Sequence, residues 1–311
     1  MGSIQFADTE SARKIVGKLY PIFSDVHVVD LGSENTIYIV DKKFVVRFPQ
    51  DKGAYMRSMY EKYILPQLKN TKGIDTPHLL DENNGDPPYI VTSFVSGKHL
   101  SADDVRSLPE EKQNYFAKKL ARFTYSMHTS FDIDKELMMR KDLELDKPGT
   151  SKPWSASFKD NIFDYTLPDE KQNKIAKKYY ADWLARCDTR PTVVVHNDLL
   201  QDNMMFDDGN NLSGVIDFGD VNVGVPEQEF QQLYRVGEDL IKIAAQEYYR
   251  LSGVNLDLEA IKTWAITREL SDYCKRIATN ETDHPKFRNA CTYLNTWLPE
   301  ITWGVYSKTL E

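Results

Sequence analysis

The chain is poor in the features that staple, anchor or polymerise a protein. Its 311 residues hold three cysteines, Cys187, Cys274 and Cys291, far apart and with no CxxC pair. That argues against a disulfide framework or a zinc site and suits a reducing compartment. No apolar run reaches the roughly eighteen residues of a membrane span. The N-terminus lacks a basic-then-apolar leader, and position six is Phe6 where myristoylation wants serine or threonine. A cytoplasmic protein with no membrane partner is expected. Positive charge is also short, with 39 lysines and arginines against 47 aspartates and glutamates, a net charge of -8. A nucleic-acid partner is therefore disfavoured, because cations are needed to displace counterions from phosphates. A cationic ligand suits this balance better, although a modest acidic excess also serves simple solubility. Internal repeats and low-complexity segments are lacking as well.

What remains is an ordinary globular composition, 41% hydrophobic and 28% charged. The length exceeds what one core usually supports, so two lobes are expected. Residues 8–23 place apolar side chains at helical spacing. Short β-rich runs follow at Val26–Leu31, Thr36–Val40 and Phe44–Phe48, the last two joined by a charged hairpin turn in "VDKKFVV". Tyr55–Leu68 reads as a helix with Met59, Tyr63 and Leu68 inward, and Tyr89–Val95 as a strand closed by Ser96 and Gly97. From there the character turns helical. Ser107–His128 opens with Pro109 and carries Phe116, Leu120, Phe123 and Met127 on one stripe. Residues 129–167 are polar and poorly periodic, as a surface excursion would be. A helix at Asp169–Cys187 and a buried strand at Val193–His196 come next. Met204–Phe206 and Gly214–Asp217 then flank the turn "DDGNNLS", and helical patterns run over 227–251, 257–278 and 285–309. The lobes divide as 1–96, a small β-rich unit, and 97–311, a larger helical one.

The chemistry concentrates in "VVVHNDLLQDN" and "GVIDFGD". Taken singly, aspartates and asparagines in turn-rich stretches cap helices or make turns. Here buried runs flank both segments, and a histidine, an aspartate, an asparagine and a second aspartate recur at H-x-D-x-x-x-x-N, hairpin, D-F-G. Phosphoryl transfer asks a protein for these parts: a carboxylate within reach of an acceptor hydroxyl, Asp198, and hard oxygen donors for magnesium, Asn203 and Asp217.

These two segments resemble the catalytic loop and metal-binding segment of the aminoglycoside phosphotransferase and choline kinase family. The asparagine after the histidine and the string "IDFGD" are most similar to the aminoglycoside 2″-phosphotransferases. The resemblance implies an α+β, two-lobed protein-kinase-like fold, with a small antiparallel sheet and helix in the first lobe and a mainly helical second lobe. It implies Mg2+ as cofactor and ATP or GTP as phosphoryl donor. It also makes His196 a brace between the two segments, and a monomer and a dimer are both compatible with it.

By the same resemblance "FVVRFP" covers the nucleotide, with Val45 over the base and Arg47 at the phosphates, since alternate residues share a face. The family expects lysine where Arg47 stands, and a planar guanidinium grips phosphate differently from an ammonium. Glu61 is the implied ion-pair partner. The phosphate-covering loop would be "LGSENTIY", with Gly32 and Ser33 approaching the phosphates, although one glycine stands where protein kinases have three. Ser93 and Val95 would bond the purine, Thr92 stand behind it, and Met205 and Ile216 form the floor.

Aminoglycosides are polycations, and the resemblance points to an acidic acceptor cleft. Its candidates are Glu227, Glu229, Glu238, Asp239, Glu269 and Asp272, with Trp264 and Tyr273 available for stacking. Arg235 and Val225 depart from that pattern, standing where the 2″-enzymes are more acidic. The favoured expectation is an O-phosphotransferase acting on an aminoglycoside, a resistance enzyme. The alternatives are a kinase of a choline-like amine, sugar or homoserine-like alcohol, and a nucleotide-binding module of poor catalysis. A protein kinase is disfavoured because no A-P-E segment follows "DFGD".

Overall fold

Strand β3 (Phe44–Pro49) shows how the first lobe is built, because its two faces do different work. In the computed structural model, which describes residues 5–22, 26–29, 34–68, 73–145, 154–187 and 192–304, Val46 and Phe48 are fully buried against Ala12 and Val16 of helix α1 (Thr9–Leu19). Val45 and Arg47, on the alternate face, line a large cleft. Around β3 the antiparallel sheet runs β1-β2-β3-β5-β4, with β1 Val26–Val29, β2 Asn35–Val40, β4 Leu79–Asn83 and β5 Tyr89–Ser93. The β2–β3 turn carries Asp41 at φ 51° and Lys42 at φ 50°, the mirror-image turn whose twist matches the flanking strands. Helix α2 (Lys52–Ile64), capped by the Asp51 carboxylate, packs behind β3. It buries Tyr60, Glu61 and Ile64, with Tyr63 and Leu68 partly buried against the core; the expected core residue Met59 is not among them.

The second lobe is mainly helical. Its helices are α3 (Ala102–Arg106), α4 (Glu110–His128), α5 (Ile133–Asp142), α6 (Trp154–Phe158), α7 (Glu170–Arg186), α8 (Pro226–Phe230), α9 (Glu238–Ser252), α10 (Leu258–Ala278) and α11 (Pro285–Trp297). Phe116, Leu120, Phe123 and Met127 of α4 are buried as their spacing predicts, and α4 packs chiefly on α9. Two antiparallel ribbons lie between the lobes: β6 (Val193–Val195) with β9 (Asn222–Gly224), and β7 (Met204–Phe206) with β8 (Leu212–Val215). The chain clips onto the second ribbon on both sides of the lobe boundary, through backbone bonds of Asp75 in the first lobe with Ser213 and Val215 and reciprocal bonds of Lys98, just past the boundary, with Phe206, all 2.8–2.9 Å. Gly97, at φ 144°, is needed at this crossing: a Cβ there would lie 2.9 Å from Phe206 O and Met205 Cβ.

The structure departs from the sequence pattern in three places. Residues 129–167 are not a surface excursion, for they contain α5, α6 and a π-turn at Lys159–Phe163. Their polarity hid burial by pairing: Tyr60 Oη donates to Glu136 Oε2 at 3.0 Å and Arg140 Nη1 to the Val221 carbonyl at 2.8 Å. Strand β4 escaped notice because Asp81 and Glu82 sit on an exposed sheet edge, where charge is tolerated. The pattern over 227–251 is divided by an extended Gly237 into α8, a 3₁₀ turn and α9, and α11 stops at Trp297, with 305–311 outside the described residues. All three cysteines are free. Among the described residues no helix is long and apolar enough to cross a membrane.

The α4–α9 contact is pinned by Glu247, which accepts from Arg122 at 2.6 Å and from Arg250 at 2.8 and 2.9 Å. Hydrogen bonds from Arg250 and Arg122 outweigh burial and hold its carboxyl down at about 2, against an ordinary 4.5. A depressed carboxyl stabilises the fold above its unfolded value and loses that contribution as pH falls through the folded one. Glu247→Gln should therefore cost about 1–2 kcal/mol at neutral pH, given the partly exposed arginines. The gap from wild type should close between about pH 4.5 and about pH 2 in denaturant titrations; a gap that persists at the acid end would remove the charge from the explanation.

Candidate active site

The two ribbons bring together segments that are separate in sequence. The β6–β7 connection carries Asp198 and Asn203, and the β8–β9 connection carries Asp217. Each connection turns on a residue in the left-handed region, Asn197 at φ 68° and Asp217 at φ 64°, a conformation that asparagine and aspartate accept better than most. The Asn197 side chain is fixed there, its Oδ1 accepting from Trp154 Nε1 at 2.9 Å and from Gln228 Nε2 at 2.7 Å. His196, fully buried, ties the two connections: its Nε2 donates to the Ile216 carbonyl at 3.0 Å, and its Nδ1 accepts from the Asp198 N–H at 3.3 Å. The ring of Phe218 packs edge-on against it at 4.7 Å.

Asp198 is held from three sides. Asn203 Nδ2 donates to its carbonyl at 2.8 Å and to its Oδ2 at 3.0 Å; Gln232 Nε2 and Arg268 Nη2 each donate to Oδ1 at 3.0 Å. Burial pushes this carboxyl up, but the Arg268 charge and the Gln232 hydrogen bond outweigh it and hold it below the usual carboxylate range. Asp198 is thus an ionised acceptor, suited to orienting a hydroxyl and taking its proton late. The amide of Asn203 is committed through nitrogen, which leaves its Oδ1 available. The Asp217 carboxylate makes no hydrogen bond or ion pair to protein among the described residues. Two such hard oxygens fit magnesium, which takes one or two protein ligands and completes its shell with water and phosphate. A closed all-protein cage is not present: among the described residues no group of three His, Cys, Asp or Glu could hold a metal.

These residues line a cleft of about 620 Å³ together with Val45, Arg47, Glu61, Thr92, Ser93, Val95, Met205 and Ile216. Arg47 Nη2 lies 2.5 Å from Glu61 Oε2, both nearly buried. Burial works against the guanidinium charge, but Glu61 and then Asp217 outweigh it, so Arg47 stays protonated. Glu61 uses only one of its N–H donors, so the others are available in the cleft. At the cleft edge the Val95 N–H is buried with no protein partner among the described residues, as a purine-binding donor would be, whereas the Ser93 N–H is spent on the His78 carbonyl at 2.9 Å. Of its backbone groups, Ser93 can offer a ligand only its carbonyl. Gly32 and Ser33 lie outside the described residues.

The six acids expected at the acceptor line neither this cleft nor the cavity beside it. Glu229 is buried and accepts from the backbone N–H groups of His196 at 2.6 Å and Asn197 at 3.3 Å, so it supports the catalytic loop from below. Glu269 is neutralised by Arg235 at 2.5 Å, and Glu227 caps α10 through the Asp257 N–H at 3.2 Å. Glu238 and Asp239 pair with Lys242 on the surface, and Asp272 sits on α10 outside both cavities. Trp264 and Tyr273 are buried in an aromatic cluster with Phe158, Trp183 and Trp303, not exposed for stacking. The sequence reading missed Gln232, Arg268 and Asp220. Only Asp220, in "DFGD", had a local signal; the contact of α10 with the catalytic loop is set by tertiary packing. Withdrawal from solvent, then repulsion from Asp198, Glu34 and Asp217, pushes the Asp220 carboxyl up to about 6.

The arrangement is that of a two-lobed kinase-like phosphotransferase. Residues 25–264 match the profile of the family described as "Phosphotransferase enzyme family", and the chain belongs to it. It is a phosphotransferase enzyme. Among solved structures it is similar to the GDP complex of wild-type aminoglycoside 2′-phosphotransferase-IIIa, with a TM-score of 0.73 and 18% identity, covering 94% of this chain and 99% of that one. It is likewise similar to the streptomycin–ATP complex of APH(2″)-IIa, with a TM-score of 0.65, 18% identity and coverage of 93% and 96%. The macrolide 2′-phosphotransferase MphH from Brachybacterium faecium matches with a TM-score of 0.62, 14% identity and coverage of 91% and 97%. At these identities the likeness is one of fold.

If Glu229 carries the catalytic loop, Glu229→Ala should cost about 2–4 kcal/mol, since it orphans two backbone donors in a buried site. Glu238→Ala, at an exposed pair, should stay within about 0.5 kcal/mol. Chemical denaturation of both variants checks the contrast, and equal effects would return Glu229 to the surface acids.

Proposed function

We propose that the protein transfers the γ-phosphoryl group of ATP or GTP to a hydroxyl of a small acceptor, with Asp198 receiving the hydroxyl proton. The observation that carries this reading is the gathering of Asp198, Asn203 and Asp217 around one cleft beneath the Arg47–Glu61 pair. Val45, Met205 and Ile216 sandwich the base, and the Val95 N–H and Ser93 carbonyl bond its edge. Arg47 holds the phosphates through the part of its fork that Glu61 leaves open. Asn203 and Asp217 would hold a magnesium ion, which when bound would supply charge neutralisation to the phosphoryl group. Asn203 also fixes the Asp198 carboxylate through its amide, so the same residue that serves the metal sets the angle of the base. A loose transition state needs little driving force from the base. The depressed Asp198 carboxyl is adequate for aiming the hydroxyl in line and accepting its proton once the bond to phosphorus has formed.

The three chemical residues also argue against a module that merely binds nucleotide, which has no use for an oriented Asp198. An aminoglycoside is a second reading of the acceptor, favoured by the fold neighbours whose structures contain kanamycin and streptomycin. The engagement of Glu229, Glu269 and Glu227 in structural contacts weakens it.

Two variants test the proposal. Asp198→Asn should lower acceptor-dependent nucleotide consumption by about a hundredfold or more while nucleotide affinity is retained; turnover at the wild-type rate would remove Asp198 from its role. Arg47→Ala should weaken nucleotide binding at least about tenfold and destabilise the fold by about 3 kcal/mol, because Glu61 is left buried and unpaired. Calorimetric titration and denaturation read the two effects, and unchanged nucleotide affinity would take Arg47 off the phosphates.

A further inference from the structure

Beside the nucleotide cleft lies a second cavity of about 220 Å³, and its lining is basic. It contains Arg57, Arg140, Arg268 and Lys286, with Asp220 the one carboxylate on its wall among the described residues. Arg57, Gly219, Asp220 and Lys286 are common to both cavities, so Lys286 stands at their join, and Asn197 and Arg268 connect the wall to Asp198; it is the space from which an acceptor hydroxyl would reach the base. Arg57 is answered by Glu34 at 2.7 and 2.8 Å. Arg268 is only partly answered. Its Nη2 reaches Asp198 at 3.0 Å and its Nη1 the Asn197 carbonyl at 3.4 Å, while its face stacks at 5.1 Å on the ring of Trp154, another residue of the cavity wall. The remaining donors of that fork have no protein partner among the described residues, although its side chain is only 15% exposed. Lys286, at the start of α11, has no carboxylate within ion-pair distance among the described residues.

We infer that the acceptor is a hydroxylated anion, whose carboxylate or phosphate group is bound by Arg268 and Lys286 while its hydroxyl meets Asp198. A polycation would have to displace these charges without finding the acids to replace them. An anionic group instead satisfies the open donors of a guanidinium positioned over Trp154 and by its bonds to Asp198 and Asn197. Arg140, almost fully buried on the same wall and stacked over Tyr60, adds to the positive potential. This inference rests on the phosphotransfer reading for the direction in which the hydroxyl points, but the charge preference of the cavity is measurable without turnover.

The test is calorimetric titration of the full chain, at low salt and without nucleotide, with matched probes: glycerate against glycerol, ribose 5-phosphate against ribose, and kanamycin. The expected result is that an anion binds at least about tenfold tighter than its neutral partner and than kanamycin, and that added salt weakens it. The identity of the preferred anion distinguishes a carboxylate from a phosphate. Lys286→Glu and Arg268→Gln should each reduce that affinity about tenfold or more. Lys286 is exposed, so its variant should fold, and its melting curve checks this. No anion advantage across the panel, anion affinity unchanged in folded Lys286→Glu, or full displacement of the anion by ADP would each overturn the inference. Nucleotide consumption is scored separately on the same acceptors. Anion binding without turnover of any of them supports the inference and counts against phosphotransfer instead.

Discussion

One constraint, the pair of hydrogen bonds from His196 Nε2 to the Ile216 carbonyl and from the Ile216 N–H to the Asn203 carbonyl, both 3.0 Å, holds the candidate site in register. Asp198 and Asp217 sit on connections between different ribbons, and neither connection has a continuous ladder through the site. Without a tie they could move independently by more than phosphoryl transfer tolerates, because effective in-line geometry is lost over about an ångström. The histidine spans them with both nitrogens occupied, donating across to the metal segment and accepting from the base's own N–H. Glu229 holds the backbone of the same turn from the opposite side, and Phe218 fills the space against the imidazole. The strain of two left-handed residues, Asn197 and Asp217, is affordable because this buried network determines their backbone on both sides.

The roof is fixed by different means. The Arg47–Glu61 pair is attached to the first lobe, which meets the second ribbon through backbone bonds at Asp75 and the second lobe's core through Tyr60 and Ile64 of α2. A buried ion pair is weak evidence for stability, since desolvation offsets much of its Coulomb attraction. Its value here is positional: Glu61 on α2 and Arg47 on β3 fix the strand and helix relative to one another, and Asp217 below adds to the field that keeps the guanidinium charged. Arginine at this position keeps its charge in any pH range the fold survives, and its fork can engage Glu61 and a phosphate at once. A lysine would offer one nitrogen to both.

What could be read from the sequence follows from how local each signal is. The turn of the β2–β3 hairpin, the apolar stripe of α4 and the spacing from His196 to Asn203 are written within a few residues, and they foretold the corresponding structure. Arg47 and Val45 could be assigned to one face of β3 from period two alone. The acceptor side could not be read this way. Glu229 and Glu269 look like any exposed glutamate in sequence, but one is claimed by backbone N–H groups and the other by Arg235, from an element 34 residues away. Arg268 shows the converse: a helical position with nothing to distinguish it becomes a contact of Asp198 only when α10 packs beside the β6–β7 connection. Residues 129–167 misled for a related reason, since buried Glu136 and Arg140 satisfy each other's neighbourhood and erase the apolar period that signals a core helix.

The charges of the two cavities separate the local field at the site from the overall acidity of the chain. A net charge of -8 is a property of the whole surface, whereas binding depends on the few groups with reduced screening in a cleft. In the larger cleft Asp198, Asp217 and Glu34 add their repulsion to the burial that lifts the Asp220 carboxyl. In the smaller cavity Arg140 and Arg268 give the opposite sign, with Lys286 on the wall common to both. Asp198 lies at the join, touched by Asn203 from the metal side and by Arg268 from the other. An acceptor spanning that join would be sorted by both fields, its hydroxyl held near the carboxylate and its charged group drawn to the arginine. The orientation of attack would then follow from electrostatics as much as from shape.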